Sequence, residues 1–186
     1  MARIDLLELF IISYEGGFVN DPRDRGGATM SGVTFNTFKD YRRRHGMPEP
    51  TIDDLKKLST SEWEAIFREL YWDPFRGDQM RCQGIANLIV DWAWCSGVKN
   101  VAKMVQKMLS IKADGIIGPQ TIAAINAGGG AAQHNIFLEL KLARGEYLKE
   151  IAKKGSNSVF YHGWLRRWEA IHYDALVKNN GIHITW

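Results

Sequence analysis

The sequence is poor in cysteine and shows no pattern of metal ligands. It has two cysteines, Cys82 and Cys95, in 186 residues, too few for the disulfide framework of a small secreted domain. Both lie in or beside an apolar helical segment, so we expect two buried free thiols. His162 and His172 have no partners at the spacing of metal ligands. We therefore expect neither a metal ion nor another cofactor.

Long apolar runs are missing as well. No stretch is long enough to predict a transmembrane helix, so we expect no insertion into a membrane. The first residues, MARIDLLELFIIS, are not typical of a signal peptide, because Asp5 and Glu8 interrupt the apolar run and no small-residue cleavage site follows. The pattern predicts a helix of the mature protein, made in the cytoplasm without an export signal of its own.

Neither sign of charge dominates. The formal net charge is +3 at pH 7 and the basic residues are scattered, which does not favour nucleic-acid binding. The one dense basic run is Arg42-Arg43-Arg44-His45. It is either the solvated end of a helix, where cations interact favourably with the helix dipole, or a contact site for an anionic polymer.

Apolar residues at helical spacing, by contrast, extend along most of the chain. Thr51 is expected to cap a short helix, and Ser59 the next one, with Glu62 as its partner in a capping box. The other predicted helices span residues 4–14, 34–44, 84–97, 98–110, 133–153 and 161–179, with a short one that ends at 126.

Only one segment has the composition of β-strands. The pieces FVN and MSGVT flank Gly26-Gly27 and predict a small irregular hairpin. There is no repeat, and the length suits one domain or a domain with a small appendage. The sequence therefore predicts a mainly α protein with one small β element near its N-terminus.

The turn-rich stretch from Tyr14 to Thr34, YEGGFVNDPRDRGGATMSGVT, follows directly on the first apolar helix. Glu15 lies at the C-terminal end of that helix, where shielding from water and the negative end of the helix dipole both disfavour its charged form. A carboxylic acid that stays protonated near neutral pH is what a general acid for glycosidic cleavage requires. Glu15 is therefore a candidate catalytic acid.

Such an acid needs a partner across a cleft, to activate water or to stabilise an oxocarbenium-like transition state. The loop supplies Asp21, Asp24, Thr29 and Thr34, and its glycines allow close approach of the backbone to a ligand. Other interpretations remain open at this point. Glu15 could bind turn amides, and the two aspartates are ordinary turn residues. A calcium loop is a further alternative, although the spacing of an EF-hand is absent.

The same stretch closely resembles the signature of glycoside hydrolase family 108, E-G-G-Y-x-x-x-P-x-D-x-G-G-x-T-x-x-G-I-T. It differs by Phe18 in place of the tyrosine, which loses a hydroxyl, and by Val33 in place of the isoleucine. Members of that family are N-acetylmuramidases, lysozyme-like enzymes that cut peptidoglycan. The resemblance implies a lysozyme-like fold, with Glu15 at the position of the catalytic glutamate.

The order of residues is also similar to that of phage-type lysozymes. Those enzymes have a helix-end glutamate, an aspartate nine positions later and a threonine about six beyond that. Here Asp24 is nine after Glu15, and Thr29 is five after Asp24. The resemblance implies that Asp24 is the second catalytic residue and that Thr29 positions water. Asp21 is the alternative candidate for the second catalytic residue, and we expect Asp21 and Thr34 to contact substrate.

Two segments of the second half are also similar to known patterns. QKMLSIKADGIIGPQT, from Gln106 to Thr121, resembles a peptidoglycan-binding signature, although Asp114 and Thr121 can serve only to hold a turn and a helix start. FYHGWLRR resembles the element F-x-x-G-W-x-x-R of the same hydrolase family. Tyr161 and Trp164 in it either stack on a sugar ring or belong to the core.

Asp91, within the apolar run LIVDWAW, is a candidate buried charge. A buried carboxylate needs a partner, so it is either part of a network with an arginine or amides, or a substrate-binding residue of the cleft.

Taken together, these features predict residues 1–97 as the catalytic region and 98–186 as a peptidoglycan-binding-like helical region packed against it. The expected reaction is hydrolysis of the β-1,4 bond between N-acetylmuramic acid and N-acetylglucosamine in glycan strands. The alternatives are a lytic transglycosylase and a non-catalytic wall-binding or secretion accessory protein. We expect a monomer, of the endolysin type found in phages or prophages, that reaches the cell wall through a holin or a secretion system.

Overall fold

The computed structural model describes residues 1–20 and 27–186, and most of these residues are helical. The helices are α1 Ile4–Tyr14, α2 Phe35–Arg44, α3 Ile52–Lys56, α4 Thr60–Phe67, α5 Gln83–Ser96, α6 Val98–Met108, α7 Pro119–Ile125, α8 Gly130–Ala152 and α9 Tyr161–Glu169. The strands are β1 Thr29–Met30, β2 Val33–Thr34, β3 Ala175–Val177 and β4 His183–Thr185. The predicted fold class, mainly α with a small hairpin near the N-terminus, is confirmed. No helix in the described ranges has the length and apolar character to cross a membrane.

Helix α1 has the predicted bounds and ends at the candidate acid. Its buried face consists of Leu6, Leu7, Phe10 and Ile11, spaced as expected for one side of a helix packed on a core. Glu15 follows in an extended conformation, and its amide still donates to carbonyls of the last turn. The helix therefore delivers Glu15 to the edge of the core.

The local sequence sets the starts of α2, α3 and α4. Thr34 caps α2, and Thr51 forms a complete capping box with Asp54. Ser59 accepts from the amide of Glu62 as predicted. The predicted return bond from the Glu62 side chain is wrong, because that carboxylate forms a bidentate pair with Arg42.

Helix α5 is the centre of the molecule. It is apolar nearly all round and packs against α1, α6 and α8, and its residues from Gln83 to Ala93 are all buried. Because the helix is buried on nearly all sides, its few polar side chains must find partners inside the protein.

The last predicted helix, 161–179, is wrong in its second half. Helix α9 ends at Glu169, and the chain then forms an antiparallel hairpin of β3 and β4. Gly181 has a positive φ of 83° in the connecting turn, so it serves the hairpin rather than a helix end. The hairpin is tied to the end of α1, because Tyr14 Oη donates to the carbonyl of Val177 and the amide of Asn179 donates to Ser13 Oγ.

The segment that resembles a peptidoglycan-binding signature is organised by Gln106. This side chain is buried, and its Nε2 donates to Asp114 Oδ1 at 2.9 Å and to the carbonyl of Ile116 at 3.0 Å. Its Oε1 accepts from the amide of Gly115 at 2.8 Å. Asp114 and Gln106 thus hold the turn between α6 and α7, which is the local role that the sequence allowed.

The basic run at the end of α2 is paired with carboxylates. Arg42 binds Glu62, Arg43 binds Asp40, and Arg44 lies 3.4 Å from Glu69. These contacts favour the interpretation as a helix end.

Both cysteines are free. Their predicted burial is wrong, because Cys82 is half-buried and Cys95 is exposed.

Glu8, on α1, gives the fold a pH dependence. Burial raises the pKa of its carboxyl from 4.5 to about 7, and Glu64 and Asp5 add to the shift while Arg68 opposes it. The folded protein therefore binds more protons than the unfolded chain between these values, so this group costs stability as the pH rises through the interval.

We expect Glu8→Gln to be more stable than the parent above pH 7, because the variant buries no charge, and we expect the difference to narrow toward pH 4. Urea unfolding of both proteins at pH 4 and at pH 8 measures the difference in their free energies of unfolding. Exposed Glu139→Gln is the control, with little change expected at either pH. If Glu8→Gln raised the free energy of unfolding equally at pH 4 and at pH 8, the raised pKa of Glu8 would be contradicted.

Candidate active site

Glu15 is held in place by two hydrogen-bond donors from distant parts of the chain. Trp94 Nε1, on α5, and Arg167 Nη1, on α9, both donate to Glu15 Oε1 at 2.8 Å. The Glu15 side chain is 16% exposed. The carboxyl group is therefore oriented by the protein and still reaches solvent.

The turn between β1 and β2 comes unusually close to this carboxyl. Gly32 has a φ of +77°, and a Cβ at this position would lie 2.7 Å from Glu15 Oε2 and 2.5 Å from Trp94 Cζ2. A side chain cannot be placed there without moving one of these groups. Gly32 thus lets the hairpin close over Glu15.

Trp63 fixes the same turn from the other side. Its Nε1 donates to the carbonyl of Ser31 at 2.9 Å, and its ring packs on Phe67 with centroids 5.3 Å apart. The Trp94 ring lies 4.7 Å from that of Tyr71 and 5.7 Å from that of Trp63. Stacked and edge-on aromatic contacts of this kind stabilise by about 0.5–1.5 kcal/mol each, and here they set the position of the indole that binds Glu15.

A buried charge network lies behind Arg167. Asp91 is fully buried, and its Oδ1 accepts from Arg167 Nε at 3.0 Å and Nη2 at 2.8 Å. Its Oδ2 accepts from Arg144 Nη2 at 2.7 Å. Two carboxylates, Glu15 and Asp91, thus meet two guanidinium groups, so the cluster is neutral when both acids are ionised.

The network explains how a carboxylate can be buried on α5. Burial alone would raise the pKa of Asp91, but the charges of Arg167 and Arg144 and their hydrogen bonds outweigh it and hold this pKa below its usual range. Burial would likewise lower the pKa of Arg167, and Asp91 raises it instead. The Arg167 guanidinium also lies 5.5 Å from the Tyr14 ring centroid and 5.9 Å from that of Phe10, so its remaining surface is covered by aromatic faces.

The other sequence candidates are distributed as follows. Thr29 begins β1, where its backbone pairs with Val19 in both directions, and Thr34 caps α2 through its Oγ1. Asp91 lies in the buried network and is connected to Glu15 through Arg167. Asp21 and Asp24 fall in 21–26, outside the described residues.

The two aromatic candidates on α9 face different surroundings. Trp164 lines a cavity of about 80 Å³ together with Arg144 and Arg167, and its ring stacks on that of Phe160. Tyr161 instead lines a groove with Glu146, Lys149 and Lys153 at the end of α8. Trp164 is thus next to the network, whereas Tyr161 belongs to another surface.

Sequence reasoning missed Trp94, Arg167 and Gly32 as site residues. A signal existed for each of them. Arg167 is the arginine of the element F-x-x-G-W-x-x-R, Trp94 follows Asp91 by one helical turn in α5, and Gly32 belongs to the motif of the opening loop. The sequence pattern does not reveal their roles, because each residue acts through a contact with a residue far away in the sequence.

Two grooves are lined by elements that adjoin the site. One, of about 170 Å³, is lined by residues of the β1–β2 turn and α4, including Ser31 and Trp63. The other, of about 400 Å³, is lined by Tyr14, Arg166 and residues of the C-terminal hairpin. In residues 1–20 and 27–186, no three His, Cys, Asp or Glu side chains come together as metal ligands would.

We expect Asp91→Asn to lower the free energy of unfolding by about 3–5 kcal/mol at pH 7, because buried Arg144 then lacks a carboxylate and Arg167 keeps only Glu15. Urea denaturation measures the loss. Since the folded-state pKa of Asp91 lies below its usual value, the stabilisation is present above the unfolded-state pKa of about 3.9. It disappears as the pH falls through the folded-state value.

The matched control for this substitution is Asp53→Asn, which removes an exposed carboxylate paired with Lys56 on α3. It should change stability little. Equal effects of the two substitutions at pH 7 would show that the network does not contribute as described.

Comparison with known proteins assigns both halves of the chain to described families. Residues 9–97 match the family described as Glycosyl hydrolase 108, and residues 100–169 match the family described as "Predicted Peptidoglycan domain". Among solved structures, the chain is similar to Brucella abortus SagA, with 32% sequence identity, a TM-score of 0.71 and coverage of 87% of this chain and 86% of that one. No curated protein sequence matches significantly. The chain therefore belongs to the glycosyl hydrolase 108 family.

Proposed function

We propose that this peptidoglycan hydrolase is an N-acetylmuramidase in which Glu15 is the general acid. It would cleave the β-1,4 bond between N-acetylmuramic acid and N-acetylglucosamine. The observation that carries the proposal is the orientation of Glu15, whose Oε1 receives two donors while the side chain stays partly exposed.

The two donors decide which oxygen can hold the acidic proton. An indole N–H and a guanidinium can only donate, so a proton on Oε1 would have no acceptor in Trp94 or Arg167. The proton of the acid is therefore placed on Oε2, on the side of Gly32. From there it passes to the leaving oxygen of the glycosidic bond.

The charge network would act on the carboxylate that remains after proton transfer. When Glu15 gives up its proton, the new carboxylate is met by Arg167 and Trp94, and the four-group cluster with Asp91 and Arg144 becomes neutral. Donors already in place need no reorganisation as the charge develops, and such preorganised electrostatic stabilisation is a large contribution to catalysis.

Water attack requires a second group on the other side of the sugar. We propose Asp24 for this role, with Thr29 assisting in positioning the water, as the order of residues in the loop implies. Thr29 lies in the same hairpin whose turn covers Glu15. The groove lined by Ser31 and Trp63 would hold part of the glycan strand. The place of action is then the cell wall, where the substrate is found.

We expect Glu15→Gln to lower the rate of peptidoglycan clearing on the order of 10²–10⁴-fold, since positioned general acids contribute rate factors of this size. Glutamine keeps the size and an acceptor for Trp94 and Arg167 but cannot supply the acid proton. Turbidity of purified wall suspensions gives the rate. Clearing by Glu15→Gln at the parent rate would refute the assignment.

Glu8→Gln is the matched control, because it is the same change on the same helix away from the site, and it should retain activity. The products also separate two reaction types. Mass spectrometry should find reducing muramic ends, as hydrolysis requires. Anhydro ends would show instead a lytic transglycosylase, in which the 6-hydroxyl of the sugar replaces water.

We expect Gly32→Ala to lower the clearing rate by roughly 10²-fold, because displacement of a reacting group by about 1 Å can cost this much. The added methyl would meet Glu15 Oε2 and Trp94. Gly17→Ala is the control, since a Cβ at Gly17 meets nothing within 4 Å. Similar activity of the two variants would mean that the turn does not position Glu15.

A further inference from the structure

A second groove is lined by Tyr14, the residue before the candidate acid, and the proposed reaction leaves this groove without a role. It has a volume of about 400 Å³ and lies between the end of α1, helix α9 and the β3–β4 hairpin. We call it the C-terminal groove. Tyr14, Arg166, Glu169, Lys178 and Asn179 are among its lining residues.

The groove carries an excess of positive charge. Arg166 and Lys178 have no carboxylate within salt-bridge distance in the part of the chain that the structure describes. Glu169 is the single acidic side chain among the described lining residues. Two cations facing one acid form a surface that suits an anionic ligand.

The groove has a defined position relative to Glu15. Its hairpin wall is fastened to α1 by the bond from Tyr14 Oη to the carbonyl of Val177, 3.1 Å long, and by the bond from the amide of Asn179 to Ser13 Oγ, also 3.1 Å. Tyr14 directly precedes Glu15, and its ring contacts the guanidinium of Arg167 that binds the acid. A ligand in the groove would therefore lie near the end of α1, one residue before Glu15.

The chemistry of the substrate supplies such a ligand. In peptidoglycan, the muramic residue whose glycosidic bond is cut also carries a peptide, attached two ring carbons away from that bond. This peptide has free carboxylates along its length and must leave the cleft close to the acid. Asn179, exposed on the groove wall, adds an amide side chain able to bind a peptide backbone.

We propose that the C-terminal groove binds the carboxylate-bearing peptide branch of peptidoglycan, through Arg166 and Lys178. This inference rests on the proposed cleavage of the muramic bond. It makes the enzyme selective for glycan strands that still carry their peptides.

The double variant Arg166→Gln/Lys178→Gln tests the proposal on two substrates. One is intact peptidoglycan, and the other is the same glycan after an amidase has removed its peptides. We expect kcat/KM to fall roughly five- to tenfold on the intact substrate, as suits the loss of two exposed charge contacts, and to stay unchanged on the stripped glycan.

Arg76→Gln/Arg81→Gln is the matched control, because it removes the same charge from exposed arginines outside the groove and outside the segment that matches a peptidoglycan domain. It should cleave both substrates as the parent does. An equal loss by the groove variant on both substrates, or no loss on either, would overturn the proposal.

A binding measurement separates this inference from the proposed catalytic role. The affinity for two ligands is measured by calorimetry, with and without the groove substitutions, in a protein that also carries Glu15→Gln. The ligands are a soluble N-acetylmuramyl tripeptide with free carboxylates and, as the reference, N-acetylmuramic acid alone. We expect the groove substitutions to weaken tripeptide binding five- to tenfold and to leave the reference unchanged. Tripeptide binding that the groove substitutions leave unchanged would overturn the groove proposal, whatever the role of Glu15. Full activity of Glu15→Gln would refute only the role of Glu15 as the general acid.

Discussion

Arg167 shares one guanidinium between a buried carboxylate and a partly exposed one, and the arrangement of the site depends on this sharing. Asp91 takes two of its hydrogen bonds inside the core, and Glu15 takes a third at the edge of the cleft. A buried arginine is tolerated only with such compensation. Because Arg144 completes the network from α8, four helices, α1, α5, α8 and α9, must pack correctly before Glu15 is oriented. Stability and catalytic geometry are thus coupled through one side chain.

The second constraint on Glu15 is steric. Gly32 allows the β1–β2 turn to lie against the carboxyl and the Trp94 ring, and Trp63 holds that turn through the carbonyl of Ser31. The carboxyl is therefore enclosed by a helix end, a hairpin turn and an aromatic cluster. Rigid surroundings of this kind keep a catalytic group near its reactive geometry without cost at the moment of reaction.

The C-terminal half contributes to the site as well as to the fold. The segment around Gln106 is explained by its own turn, since Gln106 bonds both to Asp114 and to the amide of Gly115. The region that follows supplies Arg144 and Arg167 and the hairpin beside Tyr14. Sequence patterns predicted a continuous helix over 161–179, because apolar spacing continues past Glu169. The hairpin forms instead because its strands pair with each other and bond to α1, contacts that helical periodicity does not reveal.

Helix α1, the caps at Thr51 and Ser59 and the position of Glu15 at a helix end were all predictable from the sequence, because each depends on residues within a few positions of one another. The partners of Glu15 were not. Trp94 is 79 positions away, and Arg167 is 152 positions away. No local pattern encodes such a distance, and only the packing of α5 and α9 against α1 brings these donors to one oxygen. Buried Asp91 holds the guanidinium of Arg167 in a fixed position. Arg167 in turn orients the carboxyl group of Glu15.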